Sequence, residues 1–334
     1  MSHEITSTDG LVLAGKPAWH GLGTVLPQAP TVKEAVQEAG MGWRMEEMPV
    51  YRMKAATIPP EYEPVPNYKE LRRSDTGEPF AVVSKGYTLL QNESMAELID
   101  ALAADGCIPT AESAGSLKGG RRVFFLIQTG SFLAGPRDRV VDYLLFSNAH
   151  DGSAAFRVTP TQIRTVCHNT LSAALNRAVR DGTDLIRIPH TAGLVEAVEA
   201  AKPRILEALA AGAGLKAQVQ ALAAKRMPQD AVATYFQAVA AKLWPDRVKL
   251  AAAGDAAALD RMKAQIRLWI GNLLSPRNTD TGTEGTVWHA LNAVTEWAEH
   301  QRVERAGGDR VYSRLFGGAA DVKRAALELA LEVV

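Results

Sequence analysis

Between residues 108 and 158 apolar and polar positions alternate in short runs, each closed by turn residues. The runs are IPTAESAGS, VFFLIQTG, DRVVDYLLFSNAH and SAAFRV, separated by Lys118-Gly-Gly-Arg-Arg and by Asp151-Gly152. A period of two with turn punctuation predicts strands, here an antiparallel meander of about four. After Val158 the period lengthens. In FRVTPTQIRTVCHNTLSAAL (156–175), Ile163, Val166, Cys167, Thr170, Leu171, Ala174 and Leu175 fall at helical spacing. Thr159 as cap, Pro160 at the first position and Gln162 completing a capping box predict a helix over 160–179, packed on the sheet. Arg164, Thr165, His168, Asn169, Ser172 and Asn176 then lie on its other face.

Before the meander, residues 1–30 are rich in Gly and Pro and read as ordered loop. Thr31 and Glu34 form a capping box ahead of VKEAVQEA, with Gly40 past the helix end. WRMEEMPVYRM predicts a strand, IPPEYEPVPNYKE (58–70) an exposed proline-rich loop, Asp75-Thr-Gly77 a hairpin turn into FAVVS, and Asn92 the cap of ESMAELIDALAA. Beyond Pro189 the pattern is Ala-rich and helical, broken near Gly212–Gly214, Pro228, Trp244-Pro245 and SPRNTDTGTEG (275–285). The expected architecture is α+β: a domain over 1–189 built on a meander packed by a helix, then a mostly helical domain over 190–334.

Composition narrows the class. The chain has 334 residues and 47% hydrophobic content, ample for a sizeable core. No apolar run approaches the roughly 20 residues of a membrane span, and the first ten residues lack the pattern of a signal peptide, so a cytoplasmic protein is expected. Cys107 and Cys167 offer neither a disulfide framework nor Cys-x-x-Cys. Net charge is zero but unevenly spread: 1–105 carry nine basic against fifteen acidic residues, 106–190 ten against six, and 191–334 eighteen against sixteen. The basic surplus therefore coincides with the meander.

Candidate chemistry divides into three sets. Cys167-His168 invites a thiol nucleophile, but neighbours on a helix point about 100° apart and Cys167 falls on the apolar face, where a packed cysteine is the simpler reading. His289, Asn292, Glu296 and His300 share one helical face. His289 to His300 spans about 16 Å along a helix, so no single ion takes all three ligands, and a hydrogen-bonded face meeting another element is expected in place of a metal. Phosphate-loop, dinucleotide, GxSxG and HExxH signatures are missing, so neither cofactor nor catalytic residue is assigned. Lys118, Arg121, Arg122, Arg157 and Arg164, with His168 and Asn169, form a basic set on hairpin tips and the predicted helix edge, where a nucleic-acid backbone can be tracked. Arg137, Arg139, Arg177 and Arg180 lie nearby. Phe124, Phe125, Phe132, Tyr143, Phe146 and Phe156 run among them and read as core; salt bridges within the segment are the plain alternative for the arginines.

KPAWHGLG near the start, RTVCHNTLSAA in the middle, then GTVWHALNAVTEWAEH and RLFGGAADVKRAALELA at the end resemble, in order and spacing, the phage/plasmid-like protein family known as domain of unknown function nine-three-two. That resemblance implies a mobile-element role without specifying an activity. In topology alone, a meander crossed by a helix is similar to single-strand annealing proteins. The expected function is a non-catalytic, homo-oligomeric binder of single-stranded nucleic acid in DNA recombination or replication. The alternatives are an oligomeric interaction factor acting on a host protein, and an enzyme using Arg164, His168, Asn169 and His300 in one pocket.

Overall fold

The computed structural model describes residues 10–14, 23–55, 58–104, 110–164, 169–171, 186–303, 313–314 and 317–334. In chain order the N-terminal elements are β1 (Leu11–Ala14), β2 (Thr24–Leu26), α1 (Val32–Glu38), β3 (Met45–Ala55), β4 (Glu61–Arg73), β5 (Pro79–Ser84) and α2 (Asn92–Ala104). The meander follows as β6 (Ala111–Leu117), β7 (Arg122–Gly135), β8 (Asp138–Ala149) and β9 (Phe156–Arg164), with the short strands β10 (Asn169–Leu171) and β11 (Ile186–Ile188). The C-terminal part is helical: α3 (Leu194–Glu199), α4 (Lys202–Ala224), α5 (Gln229–Leu243), α6 (Pro245–Ala252), α7 (Ala256–Leu273), α8 (Val287–Glu296) with a π-helical last turn Trp297–Gln301, and α9 (Gly318–Leu331). This is the α+β class expected.

Two sheets result. The larger runs β10-β9-β8-β7-β6-β1-β2, with β11 also on β9; the smaller is β3-β4-β5. All pairings are antiparallel except β1 with β2. The Lys118-Gly119-Gly120 turn takes three successive positive φ angles, and a Cβ on Gly120 would stand 2.9 Å from the Trp43 ring, so glycine is required there. The Thr31–Glu34 capping box forms as expected. Asn92 begins α2, but its side chain bonds to Met41 O and to His150, tying the helix start to the sheet end.

Three expectations are corrected. No helix starts at Thr159: the chain continues as strand β9 through Arg164, in register with β8 from Ser147 to Val140, and Asn169 lies on β10 opposite Arg164. Pro160 is accommodated because, among the described residues, β11 covers β9 only at 156–158 and β10 only at 162–164, leaving the proline with a paired strand on one side. The remaining residues of that predicted helix, His168 and Cys167 among them, lie outside the described residues. Residues 61–70 are strand and not loop. Pro64 and Pro66 fall where β4 is flanked by β3 alone, since β5 pairs only with Tyr68–Arg72. Leu11–Ala14 and Thr24–Leu26, read as loop, add two strands to the large sheet.

Apolar burial is organised in two large clusters and one small one. The first packs one face of the large sheet, with Phe125, Phe146 and Phe156, against α1, α2 and the foot of the small sheet, and takes in Leu194, Val198 and Ile205 from α3 and α4. The second joins α4, α5, α7, α8 and α9 around Phe236, Trp269 and Trp288, and receives Phe132 and Val140 from the far end of the β7–β8 hairpin. A third, on the opposite sheet face, holds Phe124, Leu126, Tyr143 and Leu145. The six meander aromatics are all buried, as expected of core residues.

Candidate nucleic-acid interface

The basic residues separate by the strand that carries them. Arg121 leaves the β6–β7 turn toward the small sheet: its guanidinium donates to Phe80 O at 2.7 Å and to Glu78 Oε1 at 3.0 Å, and lies over the Phe80 ring. Arg122 is buried and reaches Ser153 Oγ in the β8–β9 turn. Arg137 pairs with Asp280, and Arg139 donates to Ser131 Oγ. Lys118 is half-buried in its turn. Arg121 and Arg137 are thus paired with acids outside the segment, while Arg122 and Arg139 bond to serine hydroxyls within it.

Arg157 belongs to a different arrangement. It stands on β9 directly opposite Arg187 of β11, and opposite Ser147 of β8 on the other side. Ser147 and Ala149 lie on one face, and Ala149 pairs with Arg122, so Arg122, Arg157 and Arg187 occupy one face at one end of the sheet. Arg187 is exposed and paired with no carboxylate among the described residues. Arg187 thus presents a guanidinium to solvent directly across the ladder from Arg157. Arg164 lies seven residues along the same strand, with Asn169 opposite. The sequence reading passed over Arg187, whose only signal was a basic residue alternating with Ile186 and Ile188.

The polar residues of α8 serve the fold. The helix is buried all round. His289 accepts from Gly285 N through Nδ1 and donates Nε2–H to Leu273 O at 3.0 Å. Glu296 accepts from Ser275 Oγ at 2.8 Å and from Asn278 Nδ2 at 2.6 Å. Asn292 donates to Trp288 O, and His300 sits half-buried in the π-helical turn. His289 and Glu296 therefore hold the 275–285 loop on the helix. Among the described residues no group of three or more His, Cys, Asp or Glu is placed to hold a metal ion. The nearby Lys323, fully buried, contacts Glu299 and donates to Arg314 O; burial pulls its ammonium below the usual range, against the pull of Glu299.

A polar cluster that sequence reasoning missed lies where residues 88–92 cross the end of the large sheet. Asn92 Nδ2 donates to Met41 O, so its Oδ1 accepts from His150 Nε2–H at 2.8 Å and Nδ1 of His150 is left bare. Asn148 donates to Leu90 O, and His190 Nδ1–H donates to Thr88 O while its ring stacks on Tyr87. Both imidazoles are held neutral. Burial, with His190 nearby, lowers His150 to about 3; burial also lowers His190, opposed by the Thr88 carbonyl. No local signal marks these residues, because each partner is distant in sequence. Elsewhere, a cleft of about 360 Å³ by α6 is lined by Trp244, Arg247 and Arg261, but also by Asp246 and Asp255, so its lining charge cancels.

A match to the family described as Domain of unknown function (DUF932) spans residues 79–316. The chain belongs to that family. No curated protein and no solved structure matches it significantly. The matched span starts at β5 and runs through the meander, the Arg157–Arg187 pair and α8. No helix among the described residues is long and apolar enough to cross a membrane.

Proposed function

We propose that the protein is a non-catalytic binder of single-stranded nucleic acid, acting in recombination or replication of a phage or plasmid. The observation that carries this reading is the register pairing of Arg157 with Arg187, an exposed and unneutralised guanidinium beside a second one on the same sheet face. A strand of phosphates passing that edge would meet Arg187 and Arg157, with Arg122 on the same face two strands further in.

The test is a fluorescence anisotropy titration of nuclease-treated protein with labelled single- and double-stranded oligonucleotides at low and physiological salt. The expected result is a preference for single strands, with log affinity falling linearly in log salt by about 0.7 per phosphate contact. Arg187→Ala should weaken binding by a similar factor for every sequence and flatten that slope by roughly one contact. Flat titrations at low salt, or Arg187→Ala indistinguishable from the unmodified chain, would overturn the proposal.

A further inference from the structure

The β3–β4 hairpin is longer than the fold needs. Its near half packs into the first core through Met45 and Leu71, and there β5 supports it. Its far half, residues 50–55 against 61–64, has no third strand among the described residues, and a two-stranded ribbon alone in water is at best marginal. The register there pairs Tyr51 with Pro64, Arg52 with Glu63 and Met53 with Tyr62. Tyr51, Met53, Tyr62 and Pro64 thus share one side of the ribbon, while Arg52 and Glu63 share the other.

The two sides differ in what they lack. On the polar side Arg52 is bonded to Glu63 at 2.6 Å, and Lys54 lies 3.9 Å from Glu61. On the apolar side Tyr51 is 58%, Met53 57% and Tyr62 59% exposed, and Ile58 at the tip is fully exposed. Charge decides between occupants. The ribbon's two cations are neutralised within it, and Lys69 and Arg72 on the same sheet are paired with Glu47 and Glu46, so a phosphate backbone finds no surplus positive charge here. An uncharged apolar face complements another of its own kind.

We infer that this arm is a self-association surface, on which the Tyr51–Met53–Tyr62 face of one copy packs against the same face of a second across a two-fold axis. Tyrosines that bury about 150–250 Å² each when fully covered, together with Met53 and Ile58, offer roughly 500 Å² per copy. About 1,000 Å² over the pair lies at the lower edge of specific interfaces, so the dimer is weak and forms in the micromolar range. This inference is independent of the nucleic-acid reading, because the arm and the Arg157–Arg187 edge are on different sheets.

Sedimentation velocity of the full chain, from about 1 to 200 µM, tests it. The unmodified protein should pass from monomer to dimer within that range. Tyr51→Ser with Tyr62→Ser should raise the dissociation constant at least tenfold while leaving the thermal midpoint in place, since neither ring supports the core. Amides of 50–55 and 61–66 should exchange more slowly at the higher concentration. A chain that stays monomeric throughout overturns the inference, as does a double variant that dimerises like its parent. If the double variant instead loses oligonucleotide affinity with no change of mass, the arm is a base-stacking platform and the dimer is rejected.

Discussion

His150 spends one ring nitrogen on Asn92 and leaves the other bare in the interior, an arrangement stable only while the ring is neutral. In the unfolded chain an imidazole titrates near 6.5. In the folded chain His150 titrates at about 3, and His190 is shifted in the same direction. As pH falls through 6.5 the unfolded state takes up protons that the folded state refuses. The stability tied to His150 is therefore fully present above 6.5 and is lost as pH falls toward 3, by on the order of 1 kcal/mol per pH unit, and His190 acts in the same direction. The urea midpoint should accordingly drop between pH 7 and 5. His150→Gln, which can still donate to Asn92 but does not titrate, should lessen that slope by on the order of 1 kcal/mol per pH unit; an unchanged slope would rule out this account. The sequence made the local residue pairs legible: Thr31 and Glu34 sit three apart and cap their helix as read. It hid His150, whose partner Asn92 is 58 positions away.

At the scale of elements, the competition between local and distant partners explains why β9 is a strand. Thr159-Pro160-Thr161-Gln162 carries a helix-start signature, and the apolar spacing after it agrees. Yet the β8 positions from Val140 to Ser147 offer a continuous ladder to Arg157–Arg164, and that non-local pairing wins over the local preference. The strands of the meander were readable because alternation and turn residues coincide in them. The proline-bearing half of β4 was not, because only the register shows which side of it is open. A similar closeness governs the β7–β8 hairpin tip, where Arg137 N donates to Thr281 O and a Cβ on Gly135 would meet Thr283 Cγ2 at 2.5 Å. Thr283 is buried and its amide bonds to Thr281 Oγ1, so it has little room to retreat. Gly135→Ala should cost about 1–3 kcal/mol in urea unfolding. Gly130→Ala, whose added carbon meets only Asp142 Oδ2 at 3.7 Å, should cost far less. Equal costs would show that the contact with the 281–283 loop is not what confines Gly135.

For the whole molecule the question is whether sheet and helices unfold together. The same two strands run through both large cores: Phe125 and Phe146 lie in the first, Phe132 and Val140 in the second. Between the cores' partners, Trp288 of α8 donates its indole N–H at 2.8 Å to Asp138, a fully buried carboxylate at the start of β8, across 150 positions of sequence. A hairpin shared in this way cannot melt in one core without stripping apolar contacts from the other, so far-UV dichroism and tryptophan fluorescence should report one coincident urea transition. Asp138→Asn weakens a bond to a charged acceptor, a loss of roughly 1.5–3 kcal/mol. It should move that single transition to lower urea and leave the two signals superimposed. If the signals separate, in the parent or in the variant, the helices and the sheet are independent units, and the β7–β8 hairpin only touches the second core without being part of it.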